Sequence, residues 1–164
     1  MEQNKRPDVS FVWNILDVVL RDVFRHNELG QVILPFVVLR RIDCCLKPVN
    51  EKVRATYASF KDKLSPEKLE PVLRKSASVG GKSLPFYNTS NFSFESLLQD
   101  PANIDLNFKS YINGFNNEVL DILENFHFDS TLSRIVRYGL LYNLIQEISA
   151  VKQITPEESD DIAM

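Results

Sequence analysis

The groups in this chain that could carry out acid–base, nucleophilic or metal chemistry are few and scattered. The histidines, His26 and His127, are far apart, and neither has a cysteine or serine that the sequence places beside it as a nucleophile. The two cysteines, Cys44 and Cys45, are neighbours. A bridge between adjacent cysteines would close a small, strained ring, so both read as reduced thiols, partly buried on a helix. No Cys or His cluster has metal-ligand spacing. There is no Gly-x-Gly-x-x-Gly, no P-loop and no Gly-x-Ser-x-Gly elbow, and Gly80-Gly81 alone signals a flexible loop. Asp160-Asp161 falls in the terminal tail, where no cavity could tune a carboxylate for proton transfer. The residues themselves therefore assign no catalytic, cofactor-binding or metal-binding position.

Charge is the remaining chemical signal. The formal net charge of −3 conceals a division of the chain. Residues 1–82 carry 15 Lys and Arg against 10 Asp and Glu, a balance of +5; residues 83–164 carry 4 against 12, a balance of −8. The basic half suits a polyanion and the acidic half a basic partner, while both also suit solvated faces. Arg40, Arg41, Lys47, Lys52 and Arg54 are the candidates for contact with DNA or with another subunit, because phosphate neutralisation needs only exposed cations. On a helix Arg40 and Arg41 point about 100° apart, so one ligand need not meet both. The same side chains could instead pair with the acidic half.

The elements that must position these groups read as helices. With 164 residues and 44% hydrophobic content, the chain can bury the core of an ordinary domain. No apolar run approaches the roughly 18 residues of a membrane span, and MEQNKRPD lacks the apolar region of a signal peptide, so a cytoplasmic protein is expected. Val9, Val12, Trp13, Leu16, Val19, Leu20 and Val23 recur at helical spacing, with Asp8 as a start signal and Asp17–Arg21 as an i,i+4 pair. The stretch GQVILPFVVLRRIDCCL predicts a central core helix that kinks at Pro35 or restarts there, because proline lacks an N–H and its ring collides with the carbonyl of Gln31. Arg40 and Arg41 should mark where that helix leaves the core, with Arg40 within reach of Asp43. Residues 48–64 predict a further helix. Ser65-Pro66-Glu67 is a helix start. A central loop follows near residues 79–92, with a short extended piece around Phe86-Tyr87. Beyond it come a short helix stopped near Pro101, two helices parted around Gly114, and a helix over 129–149 capped by Asp129 and broken at Gly139. Thr155-Pro156 with Glu158 starts one more element as the chain ends. The expected fold is mostly α, a multi-helix, bundle-like domain.

Several residues carry a family resemblance. Trp13, then Leu20-Arg21, then Val32-Ile33-Leu34-Pro35 and Leu39-Arg40-Arg41-Ile42-Asp43, resemble the N-terminal helical region of the modification (HsdM-type) subunit of type I restriction–modification systems. Asp22 stands where that family often has glycine. The block from Phe86 to Ser149 is similar to the second half of the same region, so the resemblance spans most of the chain. It implies a helical N-terminal domain over 1–152 and, over 153–164, the start of a linker or helix toward an S-adenosylmethionine-dependent methylase domain. The parent subunit would methylate adenine N6 in DNA. The family's Gly-rich and Asn-Pro-Pro-Phe-type motifs do not occur here, so no catalytic or cofactor residue is carried over. Pro35-Phe36 and Pro85-Phe86 are each preceded by leucine. The implied partners are a specificity subunit, a second modification subunit, DNA in the assembled complex and, as a further candidate, a nuclease subunit. The competing expectation is a stand-alone helical interaction module that never meets DNA.

Overall fold

The computed structural model describes residues 17–150, and these are mostly helical. Residues 17–20 are helical, and a run of turns leads to α1 (Leu29–Leu46). Then follow α2 (Asn50–Phe60), α3 (Pro66–Ser76), a two-residue hairpin of β1 (Ser78–Val79) and β2 (Lys82–Ser83), and α4 (Phe94–Leu98). A single 3-10 turn (Pro101–Asn103) leads into α5 (Ile104–Asn113), α6 (Asn117–Asn125), α7 (Phe128–Arg137) and α8 (Leu141–Ala150). Trp13, the Asp8 start signal and the Thr155 start signal lie outside the described residues.

Within the described residues the expected helices are found, with corrections at their ends. α1 runs unbroken through Pro35, so a restart at the proline is excluded. Pro35 is buried, and burial of Val32, Ile33, Phe36 and Leu39 offsets the lost backbone bond. The helix does not leave the core at the arginines: Ile42, Asp43, Cys44 and Leu46 are buried beyond them, and of the pair only Arg41 reaches solvent. The first helix gives way to turns after residue 20, short of Phe24. Asp17 pairs with His26, at 4.0 Å, and not with the expected Arg21. The 129–149 helix is divided at Gly139, as expected, but its cap is His127 and Asp129 sits within the first turn. The central loop is more ordered than its composition suggests. Gly80 and Gly81, both at positive φ, close the hairpin turn, and the extended piece makes a bridge between Asn88 and Phe115.

α8 is the hub. Leu141, Leu144, Ile145 and Ile148 are at most 1% exposed, and the helix packs on α1, α4 and α5. Aromatic rings fill the space between α1, α5 and α7: Phe36 stacks on Phe108 at 5.9 Å and meets Phe128 at 5.2 Å. α2 and α3 pack as a pair, as do α6 and α7. The polar segment before α4 is held by two buried asparagines. Asn88 donates to the Tyr111 carbonyl at 2.8 Å and accepts from the Ser90 amide and hydroxyl. Asn116 accepts from the Tyr87 amide at 3.0 Å and donates to the Pro85 carbonyl.

Gly114 is fixed by space and not by backbone conformation. Its φ of −78° suits any residue, but a Cβ there would lie 2.5 Å from Asn88 Oδ1 and 2.7 Å from the Ser90 amide nitrogen. Gly114→Ala should therefore push the 88–90 turn off the α5–α6 corner and destabilise the protein by about 1–3 kcal/mol. Chemical denaturation measures this, and an unchanged midpoint would show that the turn yields freely.

Candidate functional site

The five candidate cations fall into two groups. Arg41, Lys47 and Lys52 are exposed, on α1, just after it, and on α2. Lys47 reaches Glu95 at 3.4 Å with both side chains largely in water, a contact that contributes little. Arg54 is half-buried and donates to the carbonyls of Ser90 at 2.8 Å and Phe92 at 3.3 Å, so it ties α2 to the segment before α4. Arg40 is 7% exposed and belongs to the interior.

Arg40 opens the most concentrated polar arrangement among the described residues. Its Nη1 donates to Asp43 Oδ2 at 3.3 Å, the i,i+3 pair expected from sequence, and its guanidinium lies over the Phe94 ring at 5.6 Å. Asp43 also accepts from the Tyr111 hydroxyl at 3.1 Å and the Phe94 amide at 3.4 Å. One carboxylate thus joins α1, α4 and α5. Burial pushes the Asp43 carboxyl above the usual carboxylate range, and the Phe94 amide, Arg40 and Tyr111 pull it back only in part. Burial likewise drives the Tyr111 hydroxyl far above its ordinary value, and the neighbouring Asp43 charge adds to this. Cys44 is buried beside this cluster and its thiol is raised by burial, while Cys45 is partly buried; both are free, as expected. A thiol held protonated is a poor nucleophile. Arg40, Asp43, Phe94 and Tyr111 are each at most 7% exposed, so the geometry suits a structural junction.

Two other polar anchors escaped the sequence reading. Arg134 Nη2 donates to the Val23 carbonyl at 2.6 Å, its Nη1 lies 3.6 Å from Glu28, and its guanidinium covers the Phe24 ring at 4.4 Å. It fastens the connector before α1 to α7. Arg74 bridges Glu70 and Glu118, joining α3 to α6. Glu70 and Arg74 stand at i,i+4 spacing on α3, a signal the sequence carries, but Glu118 and the partners of Arg134 have none, because those residues meet only after folding.

A cleft of about 440 Å³ opens at the α5–α6–α7 corner. Ile112, Leu120, Leu123 and Phe128 supply apolar walls, and Asn113, Glu124, His127, Asp129 and Ser130 supply polar ones. His127 adopts a left-handed backbone, φ 53° and ψ 42°, the position just past a helix end that glycine usually fills. His127→Gly should relieve that strain and raise stability by about 1 kcal/mol. A thermal midpoint unmoved or lowered would show that the histidine side chain contributes more than its backbone costs. Among the described residues no group of three His, Cys, Asp or Glu is placed to hold a metal ion. No described helix is long and apolar enough to cross a membrane.

In comparison with known families, the model described as HsdM N-terminal domain matches residues 9–148. No curated protein and no solved structure matches the chain.

Proposed function

Since this chain belongs to the HsdM N-terminal domain family, and so forms the N-terminal part of a type I restriction–modification modification subunit, we propose that it serves the whole enzyme by helping to enclose DNA and to assemble the complex. The match across residues 9–148 carries this reading. Methyl transfer to adenine N6 from S-adenosylmethionine would be the work of a separate methylase domain. The partners would be a specificity subunit, a second modification subunit and a nuclease subunit, all acting in the cytoplasm where the DNA is.

S-adenosylmethionine would be held by that separate domain. Gly80 and Gly81 are spent on an exposed hairpin turn with open space around each, and Gly114 is walled in by Asn88 and Ser90. No chemical step is therefore assigned to this domain's own residues.

Arg41, Lys47 and Lys52 are the cations free to meet phosphate, while Arg40 and Arg54 are engaged within the fold. The test is DNA affinity of the assembled complex across a salt series, with the Arg41→Glu, Lys47→Glu, Lys52→Glu triple variant beside the wild type. Loss of affinity together with a shallower salt dependence supports DNA contact by this domain. Equal affinity and equal slope would remove the DNA role and leave assembly alone. The internal use of Arg40 and Arg54 leaves three of the five candidate cations for that test.

A further inference from the structure

We propose that the cleft at the α5–α6–α7 corner docks a segment of another protein that presents an apolar side chain flanked by lysines or arginines. The walls set the apolar half of that description. The partly exposed Ile112 and Leu120 meet over the buried Leu123 and Phe128 at a half-open depression, where an inserted hydrocarbon side chain would lose its water.

The charge around the walls sets the other half. Glu124 and Asp129 line the cleft, and Asp121 lies one turn before Glu124 on α6. From Ser110 to Ser133 the chain contains no lysine or arginine. Glu118 is answered by Arg74, but Asp121, Glu124 and Asp129 have no ion-pair partner among the described residues. An apolar depression with an unanswered acidic rim repels phosphate backbones, which argues against nucleic acid as the occupant. It attracts a cationic segment and orients it, since complementary charge steers encounter and fixes register. The separation of charge along the chain, basic before residue 82 and acidic after it, thus has a spatial counterpart in the corner that α5, α6 and α7 build.

This inference rests on the assembly reading only in supposing that the natural occupant is a sibling subunit. Two arms keep the two apart. In the first, the full chain is titrated against a labelled helical peptide carrying leucine on one face and lysine on the other. The same peptide with glutamate in place of lysine serves as the control. The lysine peptide should bind and the glutamate peptide should not. Glu124→Lys with Asp129→Lys should weaken binding about tenfold or more, tenfold being about 1.4 kcal/mol, because like charges would then meet across the rim. Reversal of Glu51 and Glu67, exposed on α2 and α3, should leave it unchanged. Amide exchange of the complex should show protection confined to residues 112–130. Equal weakening by both double variants, or protection elsewhere, would mean general charge attraction and would overturn the cleft. In the second arm, wild type and Glu124→Lys, Asp129→Lys chains are each combined with the other subunits of their system. Assembly by wild type and its loss in the variant supports the cleft as a subunit surface. Assembly by both overturns that role and keeps the assembly reading, whereas failure of the wild type to assemble overturns the assembly reading and leaves the cleft to the peptide result.

Discussion

Asp43→Ala should destabilise the protein by about 3–5 kcal/mol at neutral pH, the largest single electrostatic effect expected in the molecule. The carboxylate is 7% exposed and three donors converge on it. Its removal leaves the Arg40 guanidinium charged and buried without a counter-ion, its Nε already lacking a partner, and leaves the Tyr111 hydroxyl without its acceptor. Most of the cost is that stranded charge. Arg40→Met combined with Asp43→Ala should therefore be more stable than Asp43→Ala alone, and a double-mutant cycle by urea denaturation reads the difference. A double variant no better than the single would mean that Tyr111 and Phe94 depend on Asp43 more than Arg40 does. The pH dependence has a definite sign. Burial raises the folded-state pKa of Asp43 above the unfolded value. The pH-dependent part of this group's contribution is therefore fully present below the ordinary carboxylate range and is lost as pH rises through the raised value, while the bonds from Arg40, Tyr111 and the Phe94 amide carry the cost of removing the side chain. Asp43→Asn, which cannot ionise, should flatten the stability profile across that window. An unchanged slope would assign the pH dependence to other carboxylates.

Phe36→Ala should cost a similar amount, about 3–5 kcal/mol, for a different reason. The ring is fully buried, stacked on Phe108 at an interplanar angle of 15° and tilted at 60° against Phe128. Truncation opens a cavity at the meeting of α1, α5 and α7, and those helices are held by separate neighbours that limit collapse. Set against the 5–15 kcal/mol stability of a typical domain, the loss is large enough to lower the thermal midpoint steeply. Phe36→Leu, which refills part of the space, should recover much of it. If Phe36→Ala left the midpoint in place, the aromatic cluster would not be the centre of the core.

Most of the helices were legible in the sequence because their signals are local. Pro66 after Ser65, the spacing of Leu132, Ile135 and Val136, and the breaks at Gly114 and Gly139 each act within a turn or two of chain. Helix ends were less legible. His127 displaced Asp129 as the cap of α7 because the tight α6–α7 connection demands a left-handed residue there, a requirement set by how the two helices pack. The hairpin at residues 78–83 was missed because a two-residue strand has no periodicity to detect.

The sequence by itself determined that the chain is mostly helical, that its cysteines are free, that Arg40 can reach Asp43, and to which family its apolar and arginine pattern is similar. The first three depend on composition or on neighbours within four residues, and the fourth on the order of short motifs along the chain. The tertiary structure decided which cations are free. Arg40 and Arg41 are adjacent in the chain, yet one is buried beneath Phe94 and the other faces water, and Arg54 turns inward to carbonyls on a segment 36 residues away. It also decided that Tyr111, 68 residues from Asp43, completes the buried junction, and that α5, α6 and α7 enclose a cleft with an acidic rim. Long-range partners are chosen by the packing of whole helices, and no spacing within one helix encodes which side chains another helix will bring to meet it.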